Sequence, residues 1–267
     1  MTAPAVSAPA EVLVADQVSM VFGGLRALSA FSIQIRQGDL QGLIGPNGAG
    51  KTTAFNALTG VYVPSEGEVR VRGARVNGKR PHQICALGLA RTFQNIRLFK
   101  ELTAQDNVRI ACHHTAKAPW LAAVLRTGAF VREEAAITER AEHFLAVMGL
   151  ADKRNEQAKN LPYGEQRRLE IARALATGPG VLLLDEPAAG MNTREKADLM
   201  PLIRRLRDEF GLGILVIEHD MKLVMGVCET ITVLDHGVTI ARGTPEQVRS
   251  DPRVVEAYLG APAAEAK

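Results

Sequence analysis

The segment at residues 45–52, GPNGAGKT, constrains the fold of this chain more than any other. It follows a short apolar run at residues 40–44 and precedes a helical pattern at residues 52–58. A G-x-x-x-x-G-K-[ST] spacing between a strand and a helix is typical of a phosphate-binding loop. We therefore predict an α/β fold in which backbone N–H groups of the loop, together with the positive end of the next helix, bind the phosphates of ATP.

Each residue type in this loop has a physical reason. Gly45, Gly48 and Gly50 allow the backbone to curl tightly, because glycine tolerates positive φ. The Lys51 ammonium neutralises the β- and γ-phosphates, and the Thr52 hydroxyl is suited to bind Mg²⁺. The alternative, a glycine-rich turn without a ligand, is disfavoured because strand, lysine and helix are all in register. The predicted nucleotide contacts of this segment are Gly45, Pro46, Asn47, Gly48, Ala49, Gly50, Lys51, Thr52 and Thr53.

The remaining sequence predicts a parallel α/β core that is interrupted by a helical insertion. Continuous apolar runs are typical of buried parallel strands, whereas alternating runs indicate antiparallel or edge strands. Helical periodicity dominates residues 82–150. We assign residues 11–93 and 166–250 to the core and residues 94–165 to the insertion. The predicted strands lie at residues 12–18, 31–36, 40–44, 68–76, 181–184, 214–217, 231–234 and 238–241.

Composition narrows the class of protein. A net charge of +3 over 267 residues is too small to suggest nucleic-acid binding, which needs a dense basic stripe. The three cysteines are scattered and predict neither a disulfide framework nor a zinc site. No apolar run approaches the ~20 residues of a membrane helix. Residues 1–10, rich in Ala and Pro, are predicted to be a flexible tail, and any membrane role would require an anchoring partner.

Acidic residues follow the apolar run VLLL at residues 181–184. Asp185 lies at the strand tip, where it can bind Mg²⁺ opposite Thr52. Glu186 is the candidate general base for an attacking water. His219 follows the second apolar run and can contact the γ-phosphate while holding Glu186 and the water in place. Solvated acids and a lone histidine at strand ends are the alternative interpretation, which the phosphate loop makes less favourable.

The segment at residues 161–174, LPYGEQRRLEIARA, predicts a charged amphipathic helix with a tight entry. The N-terminus of such a helix can bind an anion. Phosphate loop, LPYGEQ, VLLLDEP and histidine occur in one order, and in that order they resemble the ATP-binding cassette family. The resemblance covers the chain from about residue 12 to its end. It implies a P-loop NTPase core with a mixed sheet, an antiparallel β subdomain and an inserted helical subdomain.

The same resemblance implies two cassettes that face each other, with each ATP held between one phosphate loop and the other cassette's signature segment. It makes Gln94 the glutamine that reaches Mg²⁺ and the attacking water, and Phe22 the aromatic that stacks on adenine. The family's usual signature is L-S-G-G-Q, so the serine and the first glycine are replaced here. We expect backbone N–H groups near the remaining glycine to serve instead. The implied signature residues are Pro162, Tyr163, Gly164, Glu165 and Gln166.

Several segments, among them YGEQRRLEIARAL, DEPAAGMN and GTPEQVRSDPRVVEAYLG, resemble ATPase subunits of bacterial branched-chain amino-acid importers. This narrower resemblance implies two membrane-spanning permease subunits, a second ATPase subunit and, indirectly, a periplasmic solute-binding protein. It also implies a peripheral location on the cytoplasmic face of the inner membrane, a docking surface near residues 91–108 and a C-terminal extension at residues 251–267. Related importers carry urea, amides or aromatic acids, so the solute stays open, as does whether the two ATPases are identical.

Two alternatives from other classes of protein are disfavoured. Non-transport cassette proteins that act on ribosomes or DNA usually carry tandem cassettes or long coiled-coil insertions, and this chain has neither. A regulatory protein that binds ATP without turnover is disfavoured because Glu186 and His219 are intact. Adjacent histidines at residues 113–114 point to different faces of a helix and do not predict a metal site.

Overall fold

A computed structural model of the chain describes residues 10–115 and 119–259. Most of the predicted N-terminal tail and the end of the predicted C-terminal extension lie outside these residues. The strands are β1 (Glu11–Phe22), β2 (Leu25–Arg36), β3 (Leu40–Ile44), β4 (Glu66–Val71), β5 (Ala74–Arg75), β6 (Leu89–Arg91), β7 (Val181–Asp185), β8 (Gly213–Ile217), β9 (Thr230–Asp235) and β10 (Val238–Gly243). The helices are α1 (Lys51–Leu58), α2 (Pro81–Ala86), α3 (Ala104–Cys112), α4 (Trp120–Val124), α5 (Gly128–Val147), α6 (Tyr163–Ala176), α7 (Thr193–Phe210), α8 (Met221–Val227), α9 (Pro245–Ser250) and α10 (Pro252–Leu259).

A six-stranded sheet forms the core, with the order β10-β9-β3-β8-β7-β6. All its neighbours are parallel except β9 and β10, which form an antiparallel hairpin. Every residue of β3, β7 and β8 is buried, as their continuous apolar sequences predict. The carboxyl ends of these parallel strands therefore lie along one edge, where ligands bind in open α/β sheets.

The two faces of this sheet are covered by different layers. Leu182 and Leu184 of β7 belong to one buried cluster with the helices, whereas Val181 and Leu183 belong to a second cluster. The second cluster also contains the inner face of a four-stranded antiparallel sheet, ordered β2-β1-β4-β5, and helix α1. Because successive strand residues point to opposite faces, one buried strand serves both layers.

The helical insertion packs on the first of these clusters. Val108 of α3, Ala141 and Leu145 of α5, and Leu169 of α6 are all completely buried in it. Helix α6 therefore connects the insertion to the core, because β7 is the next element along the chain. No helix within the described residues is both long and apolar enough to cross a membrane.

The predicted fold class is confirmed, and the differences are local. Strand β2 begins at Leu25 instead of residue 31, and the alternating run at residues 68–76 is two strands joined by a turn with positive φ at Arg72 and Gly73. Strand β6 lies in the region that was predicted to be helical. It was missed because three residues are too few for a period-two pattern, and only pairing with β7 defines the strand.

Candidate functional site

The phosphate loop joins β3 to α1 in a conformation that only glycine adopts easily. Gly45 has φ +152°, and a Cβ atom there would lie 2.1 Å from the carbonyl oxygen of Leu234. Gly50 has φ +96°, and its Cβ would lie 2.8 Å from the carbonyl oxygen of Ala27. Gly48, at φ +80°, has no atom within 4 Å of that position. The outer glycines therefore allow neighbouring backbone to approach, whereas Gly48 supplies only the turn.

Lys51 begins α1 and folds back over the loop. Its Nζ donates hydrogen bonds to the carbonyl oxygens of Gly45, at 2.6 Å, and Pro46, at 2.8 Å. Partial burial lowers the pKa of the Lys51 ammonium, and the nearby Glu186 carboxylate opposes that shift. The ammonium therefore stands over the curled backbone, where it can neutralise phosphate oxygens.

An open cleft runs along this loop. Residues 47–53 line it together with Gln94 and Glu186, so two of the three predicted catalytic side chains meet the loop. Residues 25–27, at the start of β2, and His236, in the turn between β9 and β10, complete the wall of the cleft. These wall residues were not predicted, because no motif links a distant hairpin turn to a phosphate loop.

The predicted catalytic residues converge at the ends of neighbouring segments. Gln94 Nε2 donates a hydrogen bond to Glu186 Oε2 at 3.1 Å, and His219 Nδ1 lies 3.7 Å from the same oxygen. Glu186 has φ +46°, an uncommon conformation for a residue other than glycine, and its N–H donates to the Ile217 carbonyl. That bond fixes the Glu186 backbone at the end of β8, beside His219. The arrangement orients a single carboxylate oxygen between an amide and an imidazole.

Asp185 ends β7 one residue before this carboxylate and is largely buried. Its Oδ2 lies 3.2 Å from Nη2 of Arg91, and both side chains are at most 12% exposed. Burial raises the pKa of the Asp185 carboxyl above its usual value, and the nearby Arg91 guanidinium offsets only part of that rise. Arg91 was not predicted as a functional residue. It ends β6, and only the parallel pairing of β6 with β7 brings it to Asp185.

The predicted Mg²⁺ ligands provide the chemistry that this ion prefers. Thr52, Asp185 and Gln94 offer hydroxyl, carboxylate and amide oxygens, and Mg²⁺ is usually bound by one or two protein oxygens plus phosphates and water. Across the described residues, no group of three or more His, Cys, Asp or Glu side chains could hold a metal ion by itself. The residues present therefore fit an ion that binds together with a nucleotide better than an ion that is coordinated by protein side chains alone.

Phe22 ends β1 and is 43% exposed. Its ring meets that of Tyr62 edge to face, with centroids 5.2 Å apart. Phe22 does not line the cleft described above, so its predicted contact with adenine stays a prediction. Tyr62 was not predicted, because it lies in the irregular segment that follows α1.

The signature segment forms the start of α6, with Pro162 as the N-cap residue and Tyr163 as the first helical residue. A Cβ atom on Gly164 would lie 2.5 Å from Glu195 Oε1, so this carboxylate rests directly on the glycine. None of residues 162–166 lines the cleft at the phosphate loop of the same chain. Their predicted contact with the nucleotide of a second cassette stays a prediction.

Comparison with known proteins agrees with this geometry. The ABC transporter family model matches residues 28–189, and the model described as branched-chain amino acid ATP-binding cassette transporter matches residues 238–264. The high-affinity branched-chain amino acid transport ATP-binding protein BraF of Pseudomonas aeruginosa is 47% identical over 249 residues, which cover 93% of this chain and 98% of BraF. LivG of Escherichia coli K12, described in the same words, is 45% identical with the same coverage.

A solved structure gives the same result for the fold. The ADP conformation of an ATP-binding cassette of an ABC transporter has a TM-score of 0.81 at 32% sequence identity and covers 94% of this chain and 99% of its own. The predicted fold and the predicted ATPase activity are thereby confirmed together with the family. The chain belongs to the ABC transporter family and is one of its ATP-hydrolysing cassettes.

Proposed function

We propose that this chain powers an importer of branched-chain amino acids. The observation that carries the proposal is the 45–47% identity, over 93% of the chain, to ATP-binding proteins of high-affinity branched-chain amino acid transport. The match of residues 238–264 to the corresponding C-terminal family model supports it independently of the ATPase core. We retain the proposed division into a core, a helical insertion at residues 94–165 and a C-terminal extension from residue 251.

The proposed hydrolysis uses the three side chains at the carboxyl ends of the core strands. Water attacks the γ-phosphorus, the bond from that phosphorus to the β–γ bridging oxygen breaks, and Glu186 accepts the proton of the water. Gln94 orients this carboxylate and the water, and its 3.1 Å hydrogen bond to Glu186 supports that role. His219 contacts the γ-phosphate and lies within 3.7 Å of the same carboxylate oxygen.

Binding of ATP is assigned to the loop and to the aromatic residue at the end of β1. Residues 45–53 hold the phosphates, and Phe22 stacks on adenine. Thr52, Asp185 and Gln94 would hold Mg²⁺, directly or through water, and the bound ion would supply positive charge beside the phosphates. The oxygen chemistry of these three side chains supports the assignment.

A second cassette completes the site. Residues 162–166 meet the ATP held by the phosphate loop of the partner cassette, with the N-terminus of α6 directed at the γ-phosphate. ATP binding closes the pair, and hydrolysis reopens it. The position of the signature segment outside its own chain's cleft supports this arrangement.

An apolar groove between the core and the helical insertion is the proposed docking site for a membrane-spanning permease. It lies along residues 91–99 and continues onto α3 and α6. Phe99 and Ile110 in this groove are 48% and 42% exposed, and a contiguous exposed apolar surface is typical of an interaction site. Docking there would place the chain on the cytoplasmic face of the inner membrane, with a solute-binding protein reached only through the permease.

The test is a pull-down of the tagged Glu186→Gln variant from membranes in mild detergent with ATP, because this variant should hold the paired state. Recovery of permease subunits and a second cassette supports the importer. The co-purified complex is then reconstituted with its binding protein, and uptake of labelled leucine is measured against excess valine, urea and an aromatic acid. Competition by valine alone supports the proposed solute. Recovery of ribosomes or nucleic acid without membrane proteins would refute the transport role.

A further inference from the structure

A buried arginine connects the signature helix to the segment that carries Gln94. Arg167 lies on α6, one turn after Tyr163, and its side chain is completely buried. Its Nη1 donates to the carbonyl oxygen of Phe93 at 2.5 Å, and its Nη2 donates to the carbonyl oxygen of Gln94 at 2.7 Å. One guanidinium thus binds two successive carbonyls from two different nitrogen atoms of its rigid, planar fork.

A neighbouring carboxylate balances this charge. Glu170 is 1% exposed, and its Oε2 accepts from Arg167 Nη1 at 2.9 Å. Its Oε1 accepts from the backbone N–H of Arg97 at 3.3 Å. The ion pair therefore holds the segment from residue 93 to residue 97 at both ends, through two carbonyls and one N–H.

This segment depends on outside partners for its conformation. Strand β6 ends at residue 91 and α3 begins at residue 104, so the residues between them belong to neither sheet nor helix. Backbone groups outside regular structure need other hydrogen-bond partners when they are buried. The Gln94 side chain reaches Glu186 from this segment, so its approach depends on where the backbone is held.

The same guanidinium also contacts Tyr163, which replaces the first glycine of the usual signature. Nη2 of Arg167 donates to the Tyr163 hydroxyl at 3.3 Å. The Tyr163 ring packs on Gly190, where a Cβ atom would lie 2.7 Å from Cε1. Gly190 follows Glu186 by four residues. Tyr163 therefore contacts both the Arg167 anchor and the segment that leaves the catalytic carboxylate.

We propose that Arg167 is a positioning residue that holds Gln94 against Glu186 and ties this geometry to Tyr163 at the signature end of α6. Movement of the first turn of α6 would then displace the carbonyls that Arg167 grips. A buried ion pair contributes little net stability compared with a well-packed apolar pair, so stability alone does not explain its presence here. The inference rests on the proposed catalytic role of Gln94.

The experiment compares variants in the assembled transporter, with kcat and KM for ATP measured together with the midpoint of thermal unfolding. Arg167→Lys keeps the charge that pairs with Glu170, but the three donors of an ammonium cannot replace the four hydrogen bonds that the Arg167 guanidinium makes. Arg167→Met combined with Glu170→Met removes the whole pair without leaving an unpaired buried charge. Arg168→Met is the matched control, because the neighbouring guanidinium instead points to the Met148 carbonyl at 3.5 Å. Gln94→Ala tests the role on which the inference rests.

We expect both Arg167 variants to lower kcat about tenfold while KM for ATP changes less than threefold and the control stays within twofold of the parent. A kcat within threefold of the parent in both Arg167 variants, with Gln94→Ala strongly impaired, would overturn the inference and leave the role of Gln94 intact. If Gln94→Ala itself retains the parental kcat, the proposed role of Gln94 fails. If kcat falls only in variants whose midpoint of thermal unfolding also falls, the role of Arg167 is structural, and this result too would overturn the inference.

Discussion

The Arg91 guanidinium is expected to be a principal stabiliser of the nucleotide site, and Arg91→Met is the perturbation that tests this. The side chain is 12% exposed and pairs with Asp185, which is 9% exposed, at 3.2 Å. Its Nη1 also donates to Asn56 Oδ1 at 3.0 Å and to Thr59 Oγ1 at 2.9 Å, both on the polypeptide that follows the phosphate loop. A single side chain therefore joins α1 to the tip of β7.

Removal of one partner of a buried ion pair leaves the other charge uncompensated and costs about 3–5 kcal/mol. Methionine fills much of the volume of the Arg91 side chain. We therefore expect the loss of the electrostatic partner to contribute more to the destabilisation than cavity formation does. Arg91→Met should accordingly lower the free energy of unfolding of the nucleotide-free protein by about 3–5 kcal/mol. Each kcal/mol corresponds to about 2–4 °C in melting temperature for a domain near this size.

The assay is a double-mutant cycle by urea denaturation with Asp185→Asn. In the Asp185→Asn background the carboxylate charge at residue 185 is absent. Arg91→Met should therefore lower the free energy of unfolding by about 2 kcal/mol less in that background than in the parent. An equal cost in both backgrounds, or a cost below about 1 kcal/mol in the parent, would refute the reasoning.

The same pair predicts a pH dependence. Burial raises the pKa of the Asp185 carboxyl above that of the unfolded chain, so its ionisation opposes folding as pH rises through the folded pKa. Without Arg91 this pKa should rise further. The stability deficit of Arg91→Met should therefore be full above the folded pKa of Asp185 in the variant, and it should shrink as pH falls from that pKa towards the folded pKa of the parent. A deficit that grows on acidification would contradict this sign.

Three further outcomes follow from the site. Gly45→Ala should lower the free energy of unfolding, measured in urea, by more than about 3 kcal/mol, because its Cβ would lie 2.1 Å from a backbone carbonyl oxygen. Gly48→Ala should lower it by only about 1–2 kcal/mol, because its Cβ would meet no atom within 4 Å. Equal losses in the two variants would contradict the reasoning. Lys51→Met should weaken ATP binding roughly 10- to 150-fold by calorimetry, the equivalent of one charge-assisted interaction, with little change in unfolding. At pH 8 a thiol reagent should modify the partly exposed Cys85 before the buried Cys228, because burial raises the pKa of the Cys228 thiol to about 12. Peptide mapping by mass spectrometry measures the order of modification.

Much of the site was predictable because its chemistry is carried by short contiguous segments. The phosphate loop is one run of residues whose glycines and lysine have defined roles, and Asp185 and Glu186 directly follow a continuous apolar strand. His219 follows a second apolar run, and the pairing of β7 with β8 brings it near Glu186, as expected. The contact of Phe22 with adenine and of residues 162–166 with a partner's nucleotide stay predictions.

The tertiary structure alone decided the partners of these residues. Arg91 meets Asp185 across 94 positions, and Arg167 meets the Gln94 carbonyl across 73. Neither pair has a local signature, because an arginine on an amphipathic helix or at the end of a three-residue strand has the same sequence pattern whether it is buried or solvated. The sequence by itself determined the buried core strands, the loop and ATP hydrolysis as the activity, since these follow from local periodicity and residue type. The buried charges were settled only by strand register and helix packing, because a charge tolerates burial only where folding brings its partner within hydrogen-bond distance.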